Sequence, residues 1–467
     1  MSAAIVWFRR DLRVRDQPAL CAALAEADTV IPAFCIDDRL LRGRHGSGPR
    51  TQFLLESLGD LDRELRHRHS RLVVRRGDPA RELLSLARAT GARTVHACVD
   101  AGPFARARDR GVAQTLRGEG ISLRGHPGVF VIDDLKEIVS QAGRPYSVFT
   151  PFYRAWLQSA RRNVFEAPGH VGELPAGLDP GRIPSLAELG LSQTASDPAV
   201  GGERAGEEAL SAFLAGPIAD YRSGRNELGE ERCSRLSPYL HFGCVSPREL
   251  EARLPGGRGA QAFRRQIAWR DFYAYVLRSF PDNARQEYQE RFRGSISWGS
   301  DEETLRAWCE GRTGFPLVDA AMHQLRREGW MHNRARLVVG SFLTKDLGLD
   351  WRLGERHFMR LLIDGDEASN NGGWQWIASV GVDPQPVFKR IFNPALQQQR
   401  FDPDGSYVRR YLPALREVPD LHLGEPWRMP DELQRSIGCV IGEDYPAPIV
   451  DHLEARRAAL ARYGSAA

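Results

Sequence analysis

The feature that most constrains this chain is a change of hydrophobic rhythm along it. Over residues 1–130, short apolar runs alternate with longer helix-like stretches. The runs are Ala4–Phe8, Thr29–Ile36, Arg71–Arg75 and Thr94–Val99; Thr51–Arg66 and Pro79–Thr90 are the stretches between. Such alternation predicts parallel βαβ units and a doubly wound sheet, an α/β domain. Residues 131–205 read as a long interdomain linker, with Pro and Gly gathered around Pro168–Pro184. From residue 206 to 467 the rhythm is helical. Gln261–Arg278, Leu317–Arg327, Arg334–Asp346 and Glu355–Leu362 carry apolar residues at i, i+3, i+4 and i+7. This part predicts an all-α domain that ends in a terminal helix from Asp451, with no extended tail.

Several function classes fall away. Neither GxGxxG nor GxxxxGK follows the first apolar run, which excludes a standard dinucleotide or P-loop site there. The seven Cys are scattered without a CxxC pair, which argues against a disulfide framework and against zinc. A reduced, cytoplasmic setting is expected. No run of about 18 apolar residues is present, so no membrane span is expected. The first apolar run passes straight into Arg9 and Arg10, too early for a signal peptide. The net charge of +4 is too small to establish nucleic-acid binding by itself. Lys appears only at Lys136, Lys345 and Lys389, so the positive charge is almost entirely Arg.

The chemistry concentrates in two stretches. Trp330–Arg336 reads Trp-Met-His-Asn-Arg-Ala-Arg and places Asn333 and Arg336 on one helix face. Asp364–Trp376 holds three acids, two Asn and a Gly pair. It is too polar for a plain core and suits hydrogen bonding to a polar heterocycle, with glycine permitting close backbone approach. A loop of Asx turns is the alternative.

Both stretches resemble signature segments of the photolyase/cryptochrome family. So do Val6–Arg13 (Val-Trp-Phe-Arg-Arg-Asp-Leu-Arg), Gly143–Phe152, Ser234–Gly243 and Trp269–Tyr273. The resemblance covers essentially the whole chain, with the motifs in order, and is closest to class I cyclobutane pyrimidine dimer photolyases.

The resemblance implies FAD, working in its reduced form and folded into a U inside the helical domain. Tyr221 and Cys233, Ser234, Arg235, Leu236 and Ser237 would hold its phosphates and ribose. Cys233 stands where Thr is usual. Asp364, Gly365 and Asp366 would flank the isoalloxazine, Arg336 would pair with Asp364, and Asn370 would face the flavin N5. Trp298, Trp351 and Trp374 fall on the positions of an electron relay. Photolyases flip the damaged nucleotide out of the stack. Trp269 and Trp376 match the aromatic pair that wedges the dimer, flat indoles suiting splayed pyrimidines. Gln266, Arg270, Tyr273, Asn333, Arg334, Leu337 and Arg390 would contact the lesion or the DNA around it, the phosphate contacts carrying no sequence information.

Two positions depart from the usual pattern: Gln266 stands where Glu is common, and Leu337 where Met is common. A Gln amide can donate to the pyrimidine edge but supplies neither proton nor charge. An antenna chromophore would sit near the α/β domain. Folate-binding relatives carry Glu where this chain has Ala105, so a deazaflavin-type antenna is expected rather than methenyltetrahydrofolate. The function implied is light-driven repair of cyclobutane pyrimidine dimers in single- or double-stranded DNA by a monomeric carbon–carbon lyase. A cryptochrome-like blue-light receptor is the alternative.

Overall fold

The computed structural model describes residues 2–230 and 232–466. Five parallel strands form one sheet in the order β3-β2-β1-β4-β5. They are β1 (Ala3–Phe8), β2 (Thr29–Ile36), β3 (Val73–Arg76), β4 (Thr94–Cys98) and β5 (Ser122–His126). Alternate residues of β1 serve opposite faces. Ala4, Val6 and Phe8 pack with α1 (Pro18–Glu26) and α2 (Gly48–Arg66). Ile5 and Trp7 pack with α3 (Pro79–Thr90) and α4 (Pro103–Arg117). Helices therefore cover both faces, which is why β1 and β2 read as unbroken apolar runs. The order reverses beside β1, placing a topological switch point between β1 and β4, and Arg9 and Arg10 leave β1 at its carboxyl end there.

The connecting segment is mostly irregular, but α5 (Phe149–Gln158) docks on the helical half through Phe149, Phe152 and Trp156. In the helical half, the elements that carry the candidate residues are α6 (Ser237–Phe242), α7 (Arg258–Ser279), α8 (Asn333–Ser341), α9 (Trp351–Leu361) and α10 (Glu367–Ile377). The π-helical turn Phe342–Asp346 extends α8, and α11 (His452–Ser465) closes the chain with Asp451 as its cap.

The two halves share one hydrophobic core. The cluster containing Ala4, Val6 and Phe8 runs on without a break to Leu240, Phe242, Ile267 and Phe272. Polar ties follow the same seam. Leu12 N–H donates to the Phe242 carbonyl at 3.1 Å. Arg13 is 1% exposed and donates to the Gly243 and Gly128 carbonyls, both at 2.9 Å. Glu203, opening the helix Glu203–Ala215, accepts from Val14 N–H at 2.8 Å and Arg15 N–H at 3.0 Å. Among the described residues no helix is long and apolar enough to cross a membrane.

Candidate active site

The polar stretch Asp364–Trp376 is a helix entry more than a loop of Asx turns. Asp366 caps α10, accepting from Ser369 N–H at 2.8 Å. The Gly pair lies inside α10. Gly372 lets α10 sit on α7, since a Cβ there would come within 2.2 Å of the Tyr273 ring. At Gly373 a Cβ would meet nothing within 4 Å. One glycine thus serves helix packing and the other borders open space.

Asp364 pairs with Arg336 at 2.8 Å, and Arg336 Nε also donates to the Met331 carbonyl at 2.9 Å. The second carboxylate oxygen of Asp364 is buried with no hydrogen-bond partner among the described residues. A buried orphan acceptor needs a donor. The ring N–H of a flavin's pyrimidine portion is such a donor, so this residue fits the group that the sequence implies. Asn370 is 9% exposed, and its Nδ2 donates to the Glu355 carbonyl at 3.0 Å. A carbonyl can only accept, so this contact fixes the amide orientation and leaves Asn370 Oδ1 as the free acceptor. Glu355 lies behind Asn370 and pairs with Arg44 of the α/β half at 3.1 Å. Burial pushes the Glu355 carboxyl above its ordinary range, with Arg44 opposing.

Asp366 faces Arg10 rather than open space. Arg10 donates to Asp366 at 2.7 Å, to the His241 carbonyl at 2.9 Å and to Asp100 at 3.4 Å. Burial works against the Asp366 charge, but Arg10 and then His241 hold it below the usual carboxylate range. Arg10 and Glu355 were not among the candidates from sequence. Arg10 had a signal, a charged residue at the carboxyl end of the strand beside the switch point. Glu355 had none.

The Cys233–Ser237 segment leads into α6, with Arg235 in the left-handed region at φ 49°. The Arg235 side chain turns to Glu328 at 2.9 Å and lies over Trp330, while Ser237 Oγ accepts from Trp330 Nε1 at 3.1 Å. Leu236 is buried at the α6 cap, and Ser234 Oγ accepts from Leu236 N–H at 3.4 Å. Tyr221 is buried against Phe213 and Phe263. Cys233 Sγ lies 3.1 Å from His332 Nε2. His332 Nδ1 accepts from Arg334 N–H at 3.1 Å, so the neutral ring carries its proton on Nε2 and donates it to the sulfur. Burial, aided by Arg334 and Arg336, lowers His332 to about 4. Burial raises the Cys233 thiol to about 11, with Arg235 opposing. Cys233 therefore remains a thiol whose own hydrogen is free to act as a donor.

On α7, Gln266, Trp269, Arg270 and Tyr273 recur at i, i+3, i+4 and i+7 and share one face. Trp269 and Trp376 are half-buried, and Trp376 Nε1 has no hydrogen-bond partner. Asn333 is exposed and Leu337 half-buried. Arg334 bonds Asn226 at 2.7 Å and covers Phe401.

Two expected DNA contacts have a different placement. Arg390 is 1% exposed. Its guanidinium donates to the Trp376 and Asp383 carbonyls, both at 2.7 Å, and lies 3.8 Å above the Trp376 ring. Arg270 donates to the Val129 and Leu240 carbonyls at 2.8 and 3.1 Å. Both guanidiniums thus donate to backbone carbonyls inside the protein, and Arg270 also lies 3.5 Å from the Asp271 carboxylate.

Trp374 and Trp351 are 4% and 1% exposed, and Trp298 is half-buried. They are linked through α9 and its neighbours. Trp374 packs on Gly354, where a Cβ would come within 2.1 Å of the indole. Trp351 opens the same helix, and Gly299, next to Trp298, bridges to Leu349. Trp374, one turn from Asn370 on α10, and Trp351 lie in the interior, and Trp298 lies nearer the surface.

Comparison with known proteins matches this architecture along its length. The family model described as DNA photolyase matches residues 4–170, and the one described as FAD binding domain of DNA photolyase matches residues 263–465. A deoxyribodipyrimidine photo-lyase of Streptomyces griseus is 43% identical over 459 residues, 98% of each chain. A bacterial class III photolyase from Agrobacterium tumefaciens superposes with a TM-score of 0.92 at 35% identity, covering 100% of this chain and 98% of that one. A Synechocystis cryptochrome superposes with a TM-score of 0.90 at 29% identity, covering 99% of each chain.

Proposed function

The chain belongs to the DNA photolyase family, and on that premise we propose that it uses light to split cyclobutane pyrimidine dimers in DNA. The observation that carries this reading is that Trp269 of α7 and Trp376 of α10 are both half-buried indoles at the family's dimer-wedge positions, with α10 also carrying Asn370 and following directly on Asp364. FAD, when bound in its reduced form, supplies the light-driven one-electron chemistry.

The side chains have distinct tasks. Asp364 would accept from the flavin ring through its orphan oxygen, its other oxygen being paired with Arg336. Asn370 presents a carbonyl oxygen, which suits a protonated N5 and so favours the reduced cofactor. Cys233 and Ser237, with Tyr221 behind them, line the phosphate and ribose end. Trp269 and Trp376 hold the flipped dimer between flat faces, and the free Trp376 N–H offers it a donor. Gln266, one turn before Trp269, donates its amide to a pyrimidine edge. Trp374, Trp351 and Trp298 are the side chains that would relay an electron from an external reductant inward to the bound cofactor. Asn333 and Arg334, with exposed Lys389 and Phe388 on the neighbouring loop, meet the DNA around the lesion. A second chromophore on the α/β half is of the deazaflavin type, because Ala105, where folate binders carry Glu, is a buried residue in the first turn of α4.

Reading the chain as a light receptor draws on the cryptochrome likeness and on Gln266. One experiment separates the two. Photoreduced protein is mixed with dimer-bearing oligothymidylate, and absorbance at the thymine band is followed in darkness and under blue light. Recovery of thymine absorbance in the light only is expected. No recovery from protein that binds FAD and photoreduces it would overturn repair in favour of sensing.

A further inference from the structure

The two indoles of the wedge stand on different helices, yet one short segment touches the supports of both. Trp269 lies flat on Phe149, with ring centroids 3.8 Å apart and planes 5° from parallel. Phe149 begins α5, and its N–H donates to Asp383 Oδ1 at 3.2 Å. Asp383 N–H in turn donates to the Ser147 carbonyl at 2.8 Å. On the other side, the Asp383 carbonyl accepts from Arg390 Nη2 at 2.7 Å. Arg390 then reaches Trp376 twice, donating to its carbonyl at 2.7 Å and stacking on its ring at 3.8 Å. The path Trp269–Phe149–Asp383–Arg390–Trp376 is continuous through space. Asp383 is its midpoint and uses its N–H, its carbonyl and its carboxylate together.

The local backbone agrees with a positioning role. Asp383 sits at φ 53°, a region that Asp and Asn tolerate and most side chains avoid. Pro384 and Pro386 follow immediately and fix φ on the way to Arg390. Strain held at one residue by surrounding bonds is a pattern of sites where geometry is set for a purpose.

We infer that Asp383 is a positioning residue for lesion recognition, a strut that sets the gap and the relative tilt of Trp269 and Trp376. The inference rests on the repair reading for its purpose, but the strut itself is a matter of geometry. Arg390 belongs to it as the arm that carries Trp376. Stacking between two planes requires a spacing held to a fraction of an ångström, which single helix–helix packing at Gly372 and Tyr273 does not secure at the indoles themselves.

The test measures dark binding of the FAD-loaded protein to oligothymidylate with and without a dimer. Asp383→Ala is expected to weaken dimer binding about tenfold, the effect of losing one hydrogen bond to a charged group. Binding to undamaged DNA and flavin content should stay within about twofold. Asp383→Asn keeps an acceptor and tolerates the backbone conformation, so it should restore binding. The Asp383→Ala effect should vanish in a Trp269→Ala/Trp376→Ala background, because the strut then has nothing to position. Wild-type dimer affinity in Asp383→Ala, an equal loss in Asp383→Asn, or an undiminished effect without the two indoles would each overturn the strut. If wild-type protein itself does not prefer the dimer, the repair reading fails and near-ultraviolet circular dichroism decides the strut. The bands removed by Trp269→Phe and by Trp376→Phe must then both change in Asp383→Ala, and survival of either band overturns it.

Discussion

At the scale of single residues, the site is set by atoms that other residues have left free. Asp364 keeps an unpaired carboxylate oxygen because Arg336 occupies only the other one. Asn370 presents oxygen because Glu355 takes its nitrogen. Under the proposed repair chemistry, Gln266 is the residue whose chemistry would most limit the yield. Its amide donates, but a carboxylic acid in the same place would donate more strongly and could pass on its proton. Gln266→Glu is therefore expected to raise dimers split per absorbed photon by about twofold, with the gain fading as pH rises and the new carboxyl ionises. Gln266→Leu should lower that yield by about tenfold, the hydrogen bond to a charged pyrimidine being worth ~1.5 kcal/mol. Thymine absorbance against counted photons checks both. The residue types were legible in the sequence, but their partners were not. Arg390 is expected from the resemblance to meet the DNA, and only the structure shows it buried and stacked on Trp376. Asp383 carries no sequence signal, because its three bonds go to residues distant along the chain or to backbone atoms.

At the scale of elements, legibility follows burial. β1 and β2, packed on both faces, stand out as apolar runs, and Thr94–Cys98 falls within the expected Thr94–Val99. β5 was missed because Ser122–His126 is a polar edge strand with little buried surface. α3 matches its expected Pro79–Thr90 because Asp78, Pro79 and Gly91 supply a cap, a first-turn proline and a left-handed terminator. α10 was harder to see, since two glycines and two asparagines are poor helix formers and tertiary packing on Tyr273 overrides them. The helix Glu203–Ala215 makes a pH-dependent prediction. Burial, with a small contribution from Glu64, raises Glu203 to about 7 despite the Val14 and Arg15 amides and the nearby Arg13 guanidinium. The folded protein thus holds a proton that the unfolded chain releases near pH 4.5. Between those values the native state binds more protons, so this group's contribution to stability falls as pH rises. Wild type should lose thermal midpoint relative to Glu203→Gln between pH 5 and pH 8, measured as the difference between the two proteins at each pH. A constant difference would show that Glu203 titrates at its ordinary value.

At the scale of the whole molecule, the two halves meet through ion pairs, Arg10–Asp366 and Arg44–Glu355 among them, and through a shared core. Arg10 extends from the end of β1 to Asp366 at the start of α10, and also holds Asp100 and the His241 carbonyl. Arg10→Gln leaves Asp366 buried without its main cation. Loss of bound flavin is then expected to accelerate about tenfold, equivalent to ~1.4 kcal/mol, with the far-ultraviolet spectrum unchanged. Release followed by flavin fluorescence on dilution checks this, and an unchanged rate would place Asp366 outside cofactor retention. The shared core has a different consequence, for the order in which the protein is made. The sheet face bearing Ala4, Val6 and Phe8 is completed only in part by α1 and α2, and its cluster runs on through the connecting segment to residues beyond Leu240. A nascent chain leaving the ribosome exposes that apolar face until the helical half emerges. At ~5–20 residues per second this wait lasts from several seconds to tens of seconds. The last contacts on the apolar face of the first half thus form only late in synthesis.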